Sequence, residues 1–345
     1  MLKFCSLYSG SSGNSFFVQS DNSKILVDAG VSCKKIVDAL ASINVDILSI
    51  DAILVTHEHT DHTQSIGTIS KKYNIPVYAN RKTWLAMPAQ MKKISENNIF
   101  YFSNNEDFKF KDLKIFPFNI PHDAANPCGF NISNCDAKIS IATDIGHMDN
   151  TILNNLKNSK FILLESNYEP EVLKCSPYPY RLKERIASPL GHLSNIDAGK
   201  AIDYLSNYGL ETAMLGHLSK ENNFPELAYK SVLEQDRAAV VLCDLEHRII
   251  YMNPAAIQNY AKHGGEKLIG QSLLDCHNAE SGKRIQQVID WFAADVSHNL
   301  VYTFHNEKQN KDVYMVALRD GDKLIGYYEK HEFRNPETME KYDLW

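Results

Sequence analysis

No apolar run among the 345 residues approaches the roughly 20 residues that span a bilayer, so no membrane partner is expected. The opening residues, Met1 to Tyr8, hold one lysine and a short strand-like run. They lack the long apolar stretch and small-residue cleavage site of a secretory leader. No C-x-x-C pair occurs. The seven cysteines (5, 33, 128, 135, 175, 243 and 276) are odd in number and scattered, which leaves no paired framework to read. They suit reduced thiols, and the expected location is cytoplasmic. An excess of positive charge is also lacking. A net charge of −6 gives no global attraction to nucleic acid, so a DNA partner has to rest on local groups. Candidates are Lys34-Lys35, Lys71-Lys72, Arg81-Lys82, Lys92-Lys93 and the set Arg181, Lys183 and Arg185, each of which also suits a plain solvated face.

What is present is an ordinary globular composition, 44% apolar and 23% charged, on a chain long for one domain and comfortable for two. The most informative stretch is Asp51-Ala-Ile-Leu-Val-Thr-His57-Glu-His59-Thr-Asp61-His62. Ile50 to Val55 read as a buried strand. Four metal-type side chains then come within six residues, where the chain leaves the sheet and can turn them into a cleft. Packing needs none of them. Alternate residues His57 and His59 can converge on one ion, while Asp61 and His62, further along the turn, can reach a second.

Along the chain, the apolar runs Leu2 to Leu7 and Phe16 to Gln19 flank a loop that contains Ser11, Ser12 and Asn14. This is a hairpin signal, and the loop is dense in donors for an anionic oxygen. Ile25 to Val27 form a strand that ends at Asp28, a candidate carboxylate for orienting a ligand histidine. Helical spacing appears over Cys33 to Ala41, Gln64 to Tyr73 and Arg81 to Met87, with strands at Pro76 to Ala79 and Leu113 to Phe118. His122, Asp144 and Glu165 each stand just past or at the end of an apolar segment. His192 and His217 share the local pattern Gly-His-Leu-Ser, and Ser194 or Asn195 caps the helix that begins near Asp197.

The motif Thr-His57-Glu-His59-Thr-Asp61-His62 resembles the signature of the metallo-β-lactamase-fold hydrolases. Further motifs occur with it and in order: Ser-Gly-Ser-Ser-Gly-Asn-Ser, Pro-His-Asp-Ala, Tyr-Pro-Tyr-x-Leu-Lys, Gly-His-Leu-Ser-Asn and His-Leu-Ser-x-Glu-Asn-Asn. With them the chain looks like the YycJ/WalJ branch of that fold, whose motifs resemble the RNase Z group. The match covers roughly 1–235. It implies a four-layer αββα fold and a cytoplasmic, metal-dependent 5′–3′ exonuclease acting on DNA. Two divalent ions, zinc or manganese, are implied, one held by His57, His59, His122 and Asp144, the other by Asp61, His62, Asp144 and His217. His192, oriented by Glu165, takes the place of a leaving-group histidine; Asp61 and Glu165 are also counted as catalytic. Ser11, Ser12, Asn14, Ser194, Asn195 and Asn222 are the expected substrate contacts. Ser65 departs from the glycine that often comes after the hexad. The motif match also stops at Gln235-Asp236, short of the family's closing strand segment, which is either missing or replaced by a second domain.

From Ala238 the sequence resembles a PAS sensor domain of α+β class, over about 237–330 of a second domain, 236–345. Two strands flank a polar turn, a helix is entered through Asn253-Pro254, and a meander is expected at Leu300 to His305, Val313 to Arg319 and Lys323 to Glu329. PAS domains like this bind haem, flavin or small metabolites, or dimerise without a ligand. The PAS ligand is left open, and a homodimer through this domain is expected. Cys276-His277 suits a structural role better than haem ligation. The charged tail 333–345 is read as a helix packed on a partner or a frayed end. Two other functions remain open from the residues. The same metal site can hydrolyse a small ester, thioester or lactam, which requires no basic track. Alternatively, the PAS module does the work beside a vestigial hydrolase, a reading opposed by the intact set of seven ligands.

Overall fold

The computed structural model describes residues 1–307 and 310–333; the expectation for the tail lies, from residue 334 on, outside the described residues. The chain divides into two compact units, Met1–Val232 and a second that begins at Leu233. No helix among the described residues is long and apolar enough to cross a membrane.

The first unit holds two six-stranded sheets. One runs in the order β1 (Lys3–Tyr8), β2 (Ser15–Gln19), β3 (Lys24–Val27), β4 (Ala52–Leu54), β5 (Val77–Asn80), β6 (Ile99–Phe102). The other includes β7 (Phe108–Phe110), β8 (Leu113–Asn119), β9 (Cys128–Ser133), β10 (Lys138–Ala142), β11 (Phe161–Glu165) and β12 (Thr212–Gly216), arranged from β12 to β7. β1 and β2 pair antiparallel across the serine-rich loop, as the hairpin signal predicts. The Phe- and Asn-rich stretch 98–108, whose pattern predicts no element, holds β6 and the start of β7.

Alternation along β2 explains the layering. Phe16 and Val18 join one core with Phe130, Ile132 and Ile141 of the second sheet. Phe17 joins another, with Ile36 and Leu40 of the helix Cys33–Ser42 and Ile66 and Ile69 of the helix Ile66–Tyr73. A third core places Phe118 and Ile162 against Ile152, Ala198 and Leu205 from helices on the far side of the second sheet. Strands buried on both faces read as continuous apolar runs, and each fully buried side chain contributes about 1.5–3 kcal/mol relative to exposure. Three apolar layers between four layers of structure are the direct result.

Register positions the site. β3 and β4 are parallel with Val27 opposite Leu54. β10, β11 and β12 are parallel with Ala142 opposite Leu164 and Glu165 opposite Gly216. Their carboxyl ends are therefore level, and open α/β sheets place ligands at such ends. The helix Asn195–Ser206 is capped by Ser194, whose Oγ accepts from the Asp197 amide, one of the two caps the sequence predicts.

The second unit is one antiparallel sheet in the order β14 (Ile249–Met252), β13 (Ala239–Cys243), β17 (Lys323–Phe333), β16 (Lys311–Asp320), β15 (Leu300–Asn306). Between β14 and β15 come short helices and the long helix Ala279–Ala294, which sets Ile285, Val288, Ile289 and Phe292 against Val241, Val301 and Met315.

Candidate metal centre

Three residues at the strand ends adopt left-handed backbone: Asp28 (φ 62°), Asp144 (φ 60°) and His217 (φ 55°). This conformation is uncommon outside glycine and is tolerated where the surroundings over-determine it. Here the turns are clamped across the sheet. Asn14 N–H donates to Asp61 O at 2.7 Å, Gly30 N–H to Asn14 O at 2.8 Å and Ala29 N–H to His62 O at 2.8 Å. Gly30 fits because a Cβ there would stand 1.5 Å from Asp61 O.

The result is a buried cluster. His57, His59 and His122 bring ligand-type atoms within 4.8 Å of one another; so do Asp61, His62 and His217, and so do His57, His62 and Asp144. Asp144 stands between the two triads, with Oδ2 3.2 Å from His62 Nε2 and Oδ1 3.5 Å from His217 Nε2 and 3.8 Å from His122 Nε2. All seven residues proposed from the sequence as ligands are thus brought together.

The rings are oriented from behind. Thr56 Oγ1 donates to Asp28 Oδ2 at 2.8 Å and so accepts from His57 Nδ1 at 3.0 Å. His62 Nδ1 donates to Asp28 Oδ2 at 2.7 Å, His122 Nδ1 to Gly191 O at 3.0 Å, and His217 Nδ1 to Glu165 Oε1 at 3.0 Å. Assigning protons from these partners leaves the Nε2 lone pair of each ring facing the cluster, the arrangement in which outer acceptors fix tautomers for metal ligation. His57 Nε2, His217 Nε2 and Asp144 Oδ2 are buried and make no hydrogen bond. His62 Nε2 faces the amide of Asn14, Nδ2 at 3.0 Å, itself held by the Gly10 amide on Oδ1. Orphaned acceptors aimed at one another are costly unless a cation joins them. The donor set therefore fits divalent metal.

Electrostatics makes the same demand. Burial pushes the pKa of His57 well down and that of His122 down. For His62 the burial penalty is overcome by Asp144 and Asp28, which hold it well above the usual range. His217 likewise overcomes burial through Asp144, Asp61 and Glu165 and reaches about 10. A cluster of buried carboxylates requires positive charge inside it, which a metal ion supplies as well as a proton does.

His192 is placed differently. Its Nδ1 donates to Glu165 Oε1 at 2.7 Å, and its side chain is 23% exposed, so the opposite edge opens outward. Glu165 is wholly buried and holds four donors: the two histidines on Oε1, and the amides of Ile145 at 2.6 Å and Leu193 at 3.3 Å on Oε2. It positions histidines rather than touching a reacting group. At the rim, Arg185 Nε donates to Asp123 Oδ2 at 2.7 Å, next in sequence to His122.

The expected substrate contacts divide. Ser11 and Ser12 are exposed at the loop tip. Asn14 is fully buried, and its Nδ2 lies beside His62 and Asp61. Ser194, Asn195 and Asn222 lie in the interior as well. Ser194 is consumed by its cap, Asn195 donates to Glu169 and Asn223 and accepts from Ser166, and Asn222 packs on Ser219, all buried. The Asn222 Oδ1 is buried without a partner among the described residues. Sequence reasoning missed Thr56, Asn167, which donates to His217 O at 2.8 Å, and Ser9, whose Oγ accepts from the His217 amide at 2.8 Å. Of the three only Thr56 adjoins the hexad, where its position beside a ligand is a signal.

Residues 23–218 match the family model of the beta-lactamase superfamily domain. The chain is 40% identical over 235 residues to exodeoxyribonuclease WalJ of Streptococcus pneumoniae, covering 68% of this chain and 87% of the relative. To exodeoxyribonuclease YycJ of Bacillus anthracis it is 38% identical over 231 residues, covering 67% and 88%. The crystal structure of the metallo-β-lactamase fold protein YhfI from Bacillus subtilis shares the fold, with TM-score 0.53 and 14% identity over 68% of this chain and 94% of that one. The chain therefore belongs to the beta-lactamase superfamily, as a metal-dependent hydrolase homologous through its N-terminal two thirds to the WalJ and YycJ exodeoxyribonucleases.

Proposed function

We propose that the chain is a 5′–3′ exonuclease that hydrolyses phosphodiester bonds of DNA, with a PAS-like regulatory module at its C-terminus. The observation that carries the reading is the pair of ligand triads joined at Asp144, with histidine lone pairs turned inward by Thr56, Asp28, Gly191 and Glu165.

His57, His59, His122 and Asp144 would hold one divalent ion, and Asp61, His62, Asp144 and His217 the other. Zinc and manganese both suit mixed histidine and carboxylate ligation. When bound, the ions supply Lewis-acid polarisation of the phosphodiester and a lowered water pKa. The side chains do the rest. Glu165 raises the basicity of His192 and keeps its Nδ1 protonated, so that Nε2 can hand a proton to the departing oxygen. Arg185 is tethered to Asp123 through Nε, which leaves its two terminal nitrogens to take a phosphate oxygen in a fork. Ser11 and Ser12 stand exposed for the same kind of contact. That anchored guanidinium favours a polyanionic substrate over a small ester or lactam. The PAS-like reading of the second unit is supported by two strands, helices and then a three-stranded meander in one antiparallel sheet. A cytoplasmic location suits seven free thiols.

The test is a nuclease assay on 5′-phosphorylated duplex and single-stranded DNA with zinc and manganese varied, beside elemental analysis. The expected result is close to two ions per chain and stepwise release of nucleotides from the 5′ end. A protein that binds no metal at any concentration overturns the catalytic reading. Metal binding without DNA hydrolysis, but with turnover of esters or lactams, moves the substrate to the alternative class.

A further inference from the structure

β17 is the central strand of the second unit's sheet, with Glu329 opposite Val241 on one side and Met315 on the other. Residues paired across strands share a face, and Val241 and Met315 belong to the unit's core. A carboxylate thus projects into an apolar interior and is only 6% exposed. Burial disfavours its charge, but His331, His277 and Tyr260 more than offset this and bring its pKa down to about 2. An ionised carboxylate held in an apolar core by a specific set of partners marks a candidate binding site.

Its two oxygens differ. Oε2 accepts from Tyr260 Oη at 2.8 Å and from His331 Nε2 at 3.1 Å. Oε1 has no donor within hydrogen-bond distance among the described residues, its neighbour being His277 Nε2 at 4.0 Å. His277 Nδ1 donates to Leu273 O at 2.9 Å, so in the neutral ring Nε2 is an acceptor. Two acceptors therefore face each other across a gap too wide for a direct bond and suited to an amino group that gives one hydrogen to each. The gap opens into a cavity of about 200 Å³, whose apolar wall includes Ile285, Phe304 and Met315. A dry cavity of roughly 150 Å³ already takes benzene, so one ring with a substituent fits here. A metal ion needs a third ligand atom close to both acceptors, and the described residues supply none.

We propose that the second unit binds a monocyclic small molecule of aryl-amidine or amino-heterocycle chemistry, its N–H edge shared between Glu329 Oε1 and His277 Nε2 and its ring against Met315 and Phe304. The inference is independent of the nuclease reading, since every group it uses lies in the second unit. Calorimetric titration of the full-length chain with benzamidine, and with benzoate as a shape-matched anion without N–H donors, tests it. One benzamidine per chain is expected, with benzoate weaker by at least about tenfold. Glu329→Gln should weaken benzamidine by on the order of tenfold to a hundredfold, the effect of losing a charged hydrogen-bond partner. Should that variant fail to fold, Ser281→Phe decides. Ser281 is half-buried on the cavity wall, and a phenyl group there blocks entry while leaving the carboxylate in place. The proposal is overturned if benzoate binds as well as benzamidine, if no saturable binding occurs up to the order of 1 mM, or if binding survives both substitutions and so lies elsewhere.

Discussion

Replacing Glu165 by glutamine changes almost no volume, yet it disturbs the one group that serves both Gly-His-Leu-Ser histidines. Four donors converge on this carboxylate: His192 Nδ1 and His217 Nδ1 on one oxygen, the Ile145 and Leu193 amides on the other. Glutamine has one acceptor oxygen and one donor nitrogen. If the oxygen keeps the backbone amides, the new NH₂ meets both ring nitrogens and drives them to accept, which moves the imidazole protons to Nε2, toward the cluster. If the oxygen keeps the rings, the NH₂ meets two backbone N–H groups instead. Either way two charge-assisted bonds are lost, each worth about 1.5–3 kcal/mol. The wrong tautomer at a catalytic histidine costs on the order of 10⁴ in kcat in a comparable carboxylate-to-amide change, and loss of an outer partner costs about 10–100-fold in metal affinity. Glu165→Gln should therefore lower kcat by about 10²–10⁴, with loss persisting when metal is saturating, and should weaken retention of the ion at His217. Metal content and single-turnover rates on 5′-phosphorylated DNA, measured across metal concentration, check both. A variant with full metal and a rate within about twofold of wild type, well inside the effect expected of such a group, would refute the assigned role.

The two histidines on Glu165 should separate by readout. His192→Ala should retain metal and lose about 10²–10⁴ in rate if it is the general acid, whereas His217→Ala should lose one ion; an emptied site in His192→Ala exchanges the roles. Gly30→Ala places a Cβ 1.5 Å from Asp61 O, so backbone must move. A destabilisation at or above the usual overpacking range of about 1–3 kcal/mol is expected in thermal melts, together with reduced metal content. Lys138 donates to Asn155 O at 2.8 Å and also to Lys157 O, and burial pushes its pKa down to about 8. A lysine depressed on folding binds fewer protons than the unfolded chain between about 8 and about 10.4, so its contribution to stability rises with pH through that window. Lys138→Met should flatten the rise seen in pH-dependent melts of the wild type; an unchanged slope would show that Lys138 does not titrate there.

How far the sequence reaches depends on the separation of the residues concerned. The hexad is local: a strand delivers His57 to His62 into one turn, so residue type and spacing are enough to nominate two members of each triad. His122, Asp144, Glu165 and His217 each stand after or at the end of an apolar run, and chain order within a resembled family suffices to nominate them. The alternation that splits Phe16 and Val18 from Phe17 is likewise visible as an uninterrupted apolar strand. Helix and strand ends shift by a residue or two, apart from β17, which runs four residues past the expected end at Glu329. β6 and β7 are hidden because the stretch 99–108 mixes asparagine with aromatics in runs too short for a clear period.

Tertiary structure alone decided which way each ring faces. The partners that fix the tautomers lie 34 residues away for His62 and 52 for the His217 ring, and the partner of the His217 backbone amide lies 208 away, beyond any local pattern. It also decided that Asn195 and Asn222 turn inward although they neighbour conspicuous histidines, since helix capping and buried amide networks compete for the same polar groups. In the second unit, alternation along β17 places Glu329 on an apolar face. Only the folding of Tyr260, His277 and His331 around it turns a misplaced charge into a half-satisfied acceptor beside an open cavity. Composition and spacing determine which atoms are available, whereas the long-range packing of separate elements determines which of those atoms are left unpaired, and unpaired buried atoms are where binding begins.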